Sequence, residues 1–445
     1  FLVAMENAAA AADDGGMAVV RVKPLGAGGG GVEAGSSIVC GQGRSAVVTE
    51  GGGITVAASG RTARNFKYPK HVIPPESDQT QLYNTFMPQR IEAFLGGCNV
   101  NIMAYGQTGS GKTHTMFGPP GMMKRAATGE IGADAHADYG LCPRGVLDAI
   151  SRVNALRTAD PSMRYLLTAS AVELTFTSGN LDMLLKGKRQ STEGQGYWKV
   201  ADVSIDMSSR PPRLYGMTQA ILTRPEDALE LFAGIACRNT SGTGLNDTSS
   251  RSHCFVVLTL LALDTASSMV RTSRFQFVDL AGSERVAEAH SGDANWRNGN
   301  SGVIEGVSTN YSLMMLSSCV RALVEARSKK QQQRFSFRSY LVDLVQLLSE
   351  SISGEALSLV IVCISSNPEN ASQSVNALDF GEVFSHLSVR PRVVDGEKFE
   401  SLESKASKLV ESGGHSVASA KMMALRSAQG RDGEQLQRCL EALRG

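Results

Sequence analysis

The stretch AYGQTGSGKTHTMFG, from Ala104 to Gly118, contains GxxxxGK[ST] between Gly106 and Thr113. Glycines at this spacing permit a tight turn in which the backbone N–H groups of Gly106, Gln107, Thr108, Gly109, Ser110 and Gly111 point at phosphate oxygens. Lys112 supplies positive charge to the β/γ oxygens and Thr113 a hydroxyl to Mg²⁺. A second segment, FQFVDLAGSE (275–284), ends a strand in Asp279, where a P-loop NTPase holds Mg²⁺, often through water. Three residues on, Gly282 can present its N–H to a γ-phosphate. DxxG alone is a weak signal, since an acid ending a strand is often only a cap; beside a phosphate loop it becomes strong. A third segment, NDTSSRSH (246–253), joins hydroxyls to one arginine, a combination suited to γ-phosphate and metal contact. Standing alone it would be an ordinary Ser-rich turn. No NKxD box is present, which disfavours a GTPase of the small-G-protein kind.

These segments need strands and helices to hold them. VNIMAY (100–105) is an apolar strand feeding the phosphate loop, and a helix follows it. MAVVRV near the start and MRYLLTASAVELTF (163–176) read as strands; HCFVVLTLLAL (253–263) and RTSRFQFVDL (271–280) read as a hairpin. LSLVIVCIS (357–365) is a fully buried strand by its continuous apolarity. PEDALELFAGIACRN and STNYSLMMLSSCVRALVEA are helical windows between them. Such alternation predicts an α/β fold with a largely parallel sheet sandwiched by helices. Residues 1–16 are low in complexity and read as a disordered extension. After Pro391, FESLESKASKLVES (399–412) places Phe399, Leu402, Ala406, Leu409 and Val410 at helical spacing, and a polar helix follows Gly413-Gly414. This segment reads as a solvated helical linker, with a dimerising coiled coil disfavoured because heptads are not sustained.

Composition narrows the partners. The 445 residues carry a net charge of +1, with 42% hydrophobic and 20% charged residues, so bulk electrostatics point to neither nucleic acid nor a membrane surface. The apolar run Phe255 to Leu263 is too short for a bilayer span, which needs ~20 residues. Eight scattered cysteines without a CxxC pair are the usage of a reduced, intracellular chain.

The ordered set of phosphate loop, SSR loop and DxxGxE resembles a kinesin motor domain over roughly residues 17 to 390. Arg21-Val-Lys-Pro24 is similar to the family's RxRP motif, LGGCNVNIMAYGQTGSGKTHTM (95–116) to its phosphate-loop segment, and GLCPRGV (140–146) to GxIPRA. NDTSSRSH and DLAGSER match its two switch motifs, and EGVSTNYSLMMLSSCVRAL (305–323) resembles its EAxxINxSLxxLGxVIxAL helix. Myosins share the first two motifs but carry a different third. The resemblance implies a P-loop NTPase of kinesin-motor type, with a central mostly parallel mixed sheet flanked by helices on both faces. It implies a motor domain over 17–391 and a neck linker and helical tail over 392–445. Arg21, Pro24 and His114 would flank the adenine of ATP, although for His114 simple packing is an equal reading. Gly106 to Thr113 would hold the phosphates, with Thr113, Ser250 and Asp279 serving Mg²⁺. Asn246, Ser249 and Ser250 would close on the γ-phosphate, Gly282 would report it, and Arg251 would pair with Glu284. For His253 a structural and a switch role stand level.

The resemblance implies a microtubule-binding ATPase of the cytoplasm and cytoskeleton, with tubulin as partner. The expected basic track surface is eroded, however. Glu288, Tyr311, Asp343 and Gln346 stand where the family carries Lys or Arg; ARSKKQQQR (326–334) and KGKR (186–189) are either compensation or solvated loops. The loop after Arg285, VAEAHSGDANWRNGNSGVI, is long, and Pro391 removes a donor where the family's linker zips onto the sheet. The alternative expectation is therefore a weakly motile or non-motile microtubule component, for example beside other microtubule-associated proteins in a ciliary axoneme. Little chain precedes the domain, so an amino-terminal motor position is expected, which Phe1 leaves open.

Overall fold

Strong apolarity puts the strand before the phosphate loop at the centre of a ten-stranded sheet. The computed structural model describes residues 17–23, 38–41, 44–49, 53–56, 64–67, 72–131, 136–175, 180–184, 203–206, 213–238, 251–284, 301–330, 335–365, 367, 370–413 and 420–444. In chain order the strands are β1 (Met17–Lys23), β2 (Ile38–Gly41), β3 (Arg44–Thr49), β4 (Gly53–Val56), β5 (Arg64–Phe66), β6 (Val72–Ile73), β7 (Val100–Tyr105) and β8 (Met163–Leu174). They continue with β9 (Asn180–Asp182), β10 (Ser204–Asp206), β11 (Arg213–Tyr215), β12 (Ala220–Leu222), β13 (His253–Asp264), β14 (Met269–Asp279), β15 (Leu357–Ser365) and β16 (Glu397–Lys398). The main sheet runs β12-β8-β13-β14-β7-β15-β1-β6. It is parallel from β14 through β7, β15 and β1 to β6, and antiparallel from β12 to β14. The expected hairpin is β13–β14, pairing Asp264 with Met269 through Cys254 with Asp279.

Every residue of β7 is buried, because helices cover both faces of the sheet. Val100, Ile102 and Ala104 face a core built with helices Gln79–Phe86, Pro88–Leu95, Leu141–Ala159 and Ala228–Arg238. Met103 and Tyr105 face the other core, under helices Ser301–Ser328 and Ala371–Ser385. The strand length fixes where β7 and β14 end, and their last paired residues are Ala104 and Asp279. That register brings the phosphate loop and the DxxG segment together.

Four expectations are revised. The long helix begins at Ser301, so the loop expected to run through Ile304 gives way to helix four residues sooner; residues 285–300 lie outside those described. Gln346 is 2% exposed and donates to the carbonyls of Phe337 (2.7 Å) and Tyr340 (2.6 Å), so it braces a loop from inside and is not a surface residue. Pro391 breaks no ladder. Arg390, Arg392 and Val394 donate N–H bonds to Gly354 (2.8 Å), Glu355 (3.2 Å) and Gly97 (2.9 Å), so the alternate position occupied by proline has no partner to lose. The segment continues into β16, which pairs with Met269 and Val270 of β14.

The fourth concerns the carboxyl-terminal helices, Phe399–Gly413 and Ala420–Arg444. The apolar stripe expected on a solvated linker is buried: Phe399, Leu402 and Ala406 pack with Cys439, Leu440 and Leu443 against Leu166, Leu261, Leu263 and Val270 of the sheet. The two helices cross closely at Gly433, where a Cβ would stand 2.7 Å from the Val410 nitrogen and 2.8 Å from the Ala406 oxygen. Asp432 accepts from Gly216 N–H at 2.8 Å, and Gln435 donates to the Met217 carbonyl at 2.6 Å. Spacing alone identifies an apolar stripe but not the surface that receives it.

Candidate functional site

The phosphate loop leaves β7 at Gly106 and enters the helix Lys112–Phe117. Gly106 has φ +151°, and a Cβ there would collide with the Cys363 carbonyl on β15, so only glycine lets the turn lie against the neighbouring strand. Gly109 and Gly111 also have positive φ, and the space a Cβ would enter is open at both, so the backbone there is accessible to an anion. Ser110 Oγ donates to the Gln107 carbonyl at 2.8 Å, bracing the turn. Lys112 is buried, its Nζ donating to the Gln107 carbonyl at 2.7 Å. Burial pushes its ammonium pKa down, while Asp279 and Glu284 pull it back up. Lys23 Nζ reaches the Gly109 carbonyl at 2.7 Å and adds a second cation at the rim.

At the end of β14, Asp279 Oδ2 accepts from Thr113 Oγ1 at 2.8 Å and from Arg238 at 2.7 Å. Arg238 is buried and also reaches Glu173 Oε1 at 3.3 Å and the Ser252 carbonyl at 2.7 Å; Ser252 Oγ donates to Glu173. Burial would lower the guanidinium pKa, but Asp279 and Glu173 raise it, so the cation is retained. Asp279 Oδ1 is buried without a hydrogen-bond partner. An unpaired carboxylate oxygen next to a helix-borne hydroxyl suits a hydrated divalent cation such as Mg²⁺, whose remaining positions phosphate oxygens and water would fill. Among the described residues no group of three or more His, Cys, Asp or Glu side chains could hold a metal unaided. The donor set thus fits Mg²⁺ bound together with a phosphate.

The DxxG segment is stitched to the phosphate loop: Leu280 N–H donates to Ala104 O (3.3 Å) and Ser283 N–H to Gly106 O (3.1 Å). A Cβ on Gly282 would meet Thr108 Oγ1 and the Glu284 carboxylate, so a larger residue there would have to displace that side-chain pair. Both oxygens of Glu284 are taken by Thr108, one by its N–H at 2.7 Å and the other by its hydroxyl. The pairing with Arg251 implied by resemblance is therefore not the arrangement Glu284 adopts here; the Arg251 carbonyl accepts from Thr309 Oγ1 at 2.6 Å.

On the opposite rim, Arg21 donates to Gln79 Oε1 (3.0 Å) and Thr115 Oγ1 (2.9 Å). Gln79 Nε2 meets His114 at its carbonyl (2.6 Å) and Nδ1 (3.1 Å). Burial and the nearby Arg21 lower the His114 pKa, which keeps the ring neutral beside that cation. Pro24, Asn246, Ser249 and Ser250 lie outside the described residues. Of the other expected site residues, Gln107 to Thr113, Asp279, Gly282 and Glu284 meet at one place, and Arg21 and His114 sit together at its edge. Arg238, Glu173, Gln79 and Lys23 were not foreseen. Each looks like ordinary helix or strand content in the chain, and only a buried arginine at a helix end hints that acids must lie nearby.

His253 is buried, and burial with Arg238 and Lys112 nearby depresses its pKa to about 3. Below pH 6.5 the unfolded chain binds a proton that the native ring refuses, so stability falls with acidification across the window from 6.5 to about 3. This group alone contributes a slope of about 1.4 kcal/mol per pH unit there. Urea unfolding between pH 7 and pH 5 should show this slope, and His253→Asn should flatten it.

The family model described as kinesin motor domain matches residues 32–387. The mouse kinesin-like protein KIF27 is 24% identical over 331 residues, covering 72% of this chain and 21% of that protein. The Drosophila melanogaster kinesin heavy chain is 27% identical over 316 residues, covering 70% of this chain and 28% of that protein. The match thus spans about a fifth to a little over a quarter of those relatives. Among solved structures, a KIF14 dimer in a two-heads-bound state with AMP-PNP and a microtubule superposes with a TM-score of 0.64 at 24% identity, over 85% of this chain and 95% of that one. The structure of a fast kinesin gives 0.62 at 20% identity, over 86% and 94%.

Proposed function

Because this chain belongs to the kinesin motor-domain family, we propose that it binds ATP with Mg²⁺ on the Gly106–Thr113 loop, hydrolyses it, and binds microtubules in step with that cycle. The observation that carries this reading is the meeting of Lys112, Thr113, Asp279 and Gly282 at the ends of two adjacent parallel strands. On ATP binding, Lys112 would exchange the Gln107 carbonyl for β/γ oxygens, and the Gly282 N–H would meet the γ-phosphate. Thr113 and Asp279 would hold the Mg²⁺, which neutralises phosphate charge. Asn246, Ser249 and Ser250 would close from the other side, and Glu284 would leave Thr108 to pair with Arg251, shielding the attacking water. Phosphate release measured with and without microtubules tests this. Clear stimulation supports it, and no release in either condition overturns it.

A second reading, attachment to microtubules with little or no movement, is favoured by the docked linker and tail. The linker's backbone bonds, from Arg390 to β16, are capped by two helices that bury Phe399, Leu402 and Ala406 on the sheet. A force-producing linker must leave the sheet in each cycle, and this one would first have to expose that cluster. The track-facing chemistry points the same way. Tyr311 is 46% exposed, Leu341 is 82% exposed and Asp343 is an exposed acid, while Lys329 is paired with Glu325 at 2.5 Å. Glu288 and the basic run 186–189 lie outside the described residues. Leu402→Asp combined with Leu440→Asp should free the linker and raise microtubule-stimulated turnover severalfold, with gliding appearing only in the variant. Robust gliding by the unaltered chain would sink this second reading.

A further inference from the structure

We infer that His253 is a positioning residue whose imidazole locks the γ-phosphate-sensing segment at Ala281 to the long helix Ser301–Ser328, so that the two shift together. This rests on the reading of the chain as a nucleotide-driven switch. Ala281 N–H donates to His253 Nδ1 at 3.1 Å, which leaves the ring proton on Nε2. Nε2 then donates to Ser312 Oγ at 2.8 Å, Ser312 Oγ donates to the Thr309 carbonyl at 2.6 Å, and Thr309 Oγ1 donates to the Arg251 carbonyl at 2.6 Å. The path starts one residue before Gly282, crosses to the helix, and returns to the SSR segment two residues before His253 itself. Three segments far apart in the chain are therefore joined through one five-membered ring.

The polarity of the path has one consistent direction. A protonated imidazole would set an N–H against the Ala281 N–H, and the ring stays neutral to about pH 3, so the bridge persists at any working pH. A space-filling role does not account for it. An apolar ring of similar size would leave the buried Ala281 N–H without an acceptor and Ser312 Oγ without its donor. Both flanks of His253 are also pinned, Ser252 by Arg238 and Glu173, and Cys254 by its place in β13. Movement of the Ala281 backbone is thereby passed to Ser312, and not absorbed by a loose side chain.

The test uses the whole chain. Amide hydrogen exchange over residues 309–323 is compared with ADP and with a non-hydrolysable ATP analogue. The unaltered protein should show a nucleotide-dependent difference in that helix. His253→Asn keeps an acceptor near the Nδ1 position but has no donor that reaches Ser312; Ser312→Ala cuts the bridge from the other side. Each should abolish the difference, and the double variant should do no more than either alone. Nitrogen-15 NMR of the nucleotide-free protein should show the Nε2–H tautomer from pH 5 to 9. Persistence of the exchange difference in both variants, its absence from the unaltered chain, or an Nδ1–H tautomer would overturn the inference. Failure to bind either nucleotide would instead refute the proposed function, and the tautomer would still decide whether the bridge exists.

Discussion

Lys112→Ala is expected to lower ATP turnover by about 10²–10³-fold, on the scale of removing one transition-state charge donor, without unfolding the protein. The ammonium is buried against the Gln107 carbonyl, and its pKa is pushed down by that burial. A cation held in an unfavourable place suits the phosphate proposed to bind there. Removing it leaves no buried acid uncompensated, because Asp279 is still paired with Arg238. Thermal stability should therefore hold or rise slightly while turnover collapses. Lys23 is engaged at the Gly109 carbonyl on the exposed rim and not at the buried Lys112 position. The measurement is single-turnover phosphate release alongside the unfolding midpoint. Turnover within a few-fold of the unaltered chain would mean that the loop does not carry the chemistry.

Arg238→Ala should have the opposite profile, a loss of about 3–5 kcal/mol in folding stability, because breaking one side of a buried ion pair strands its partners. Arg238 and Asp279 are each about 1% exposed in their side chains, and Glu173 is 11% exposed. Three acceptors on three elements are met by one planar fork: Asp279 on β14, Glu173 on β8 and the Ser252 carbonyl before β13. Arg238→Lys should recover only part of the loss, since a single ammonium cannot reproduce that geometry. Denaturant midpoints report the stability, and Mg²⁺-dependent nucleotide affinity reports the release of Asp279. If Arg238→Ala unfolds at the same denaturant concentration as the unaltered chain, the buried ion pair does not hold β8, β13 and β14 together.

Much of the site is legible along the chain because its parts are contiguous. The phosphate loop, the DxxGxE segment and the strands that end in them are read from short runs of residue types, and the register between Ala104 and Asp279 places them together. Arg238 was not legible, because nothing near it in sequence shows that Glu173 lies 65 positions away and Asp279 41 positions away. The packing of the carboxyl-terminal helices is hidden for a related reason. Phe399, Leu402 and Ala406 reveal a buried stripe, but the surface that buries it comes from Leu166, Leu261, Leu263 and Val270. Pro391 and Gln346 show the same limit on a smaller scale. Whether a missing donor or an amide matters depends on which way that residue faces, and a one-residue change of register reverses it.

Residue types and spacing by themselves determined the alternation of strands and helices, the phosphate-binding turn and the acid that faces it, since each follows from local backbone geometry and side-chain chemistry. Only the tertiary structure decided that the segment after Arg390 lies on the sheet, that two helices seal it there, and that His253 bridges the Ala281 and Ser312 segments. Those outcomes depend on pairings between residues dozens to hundreds of positions apart, and such pairings exist only once the chain has closed on itself.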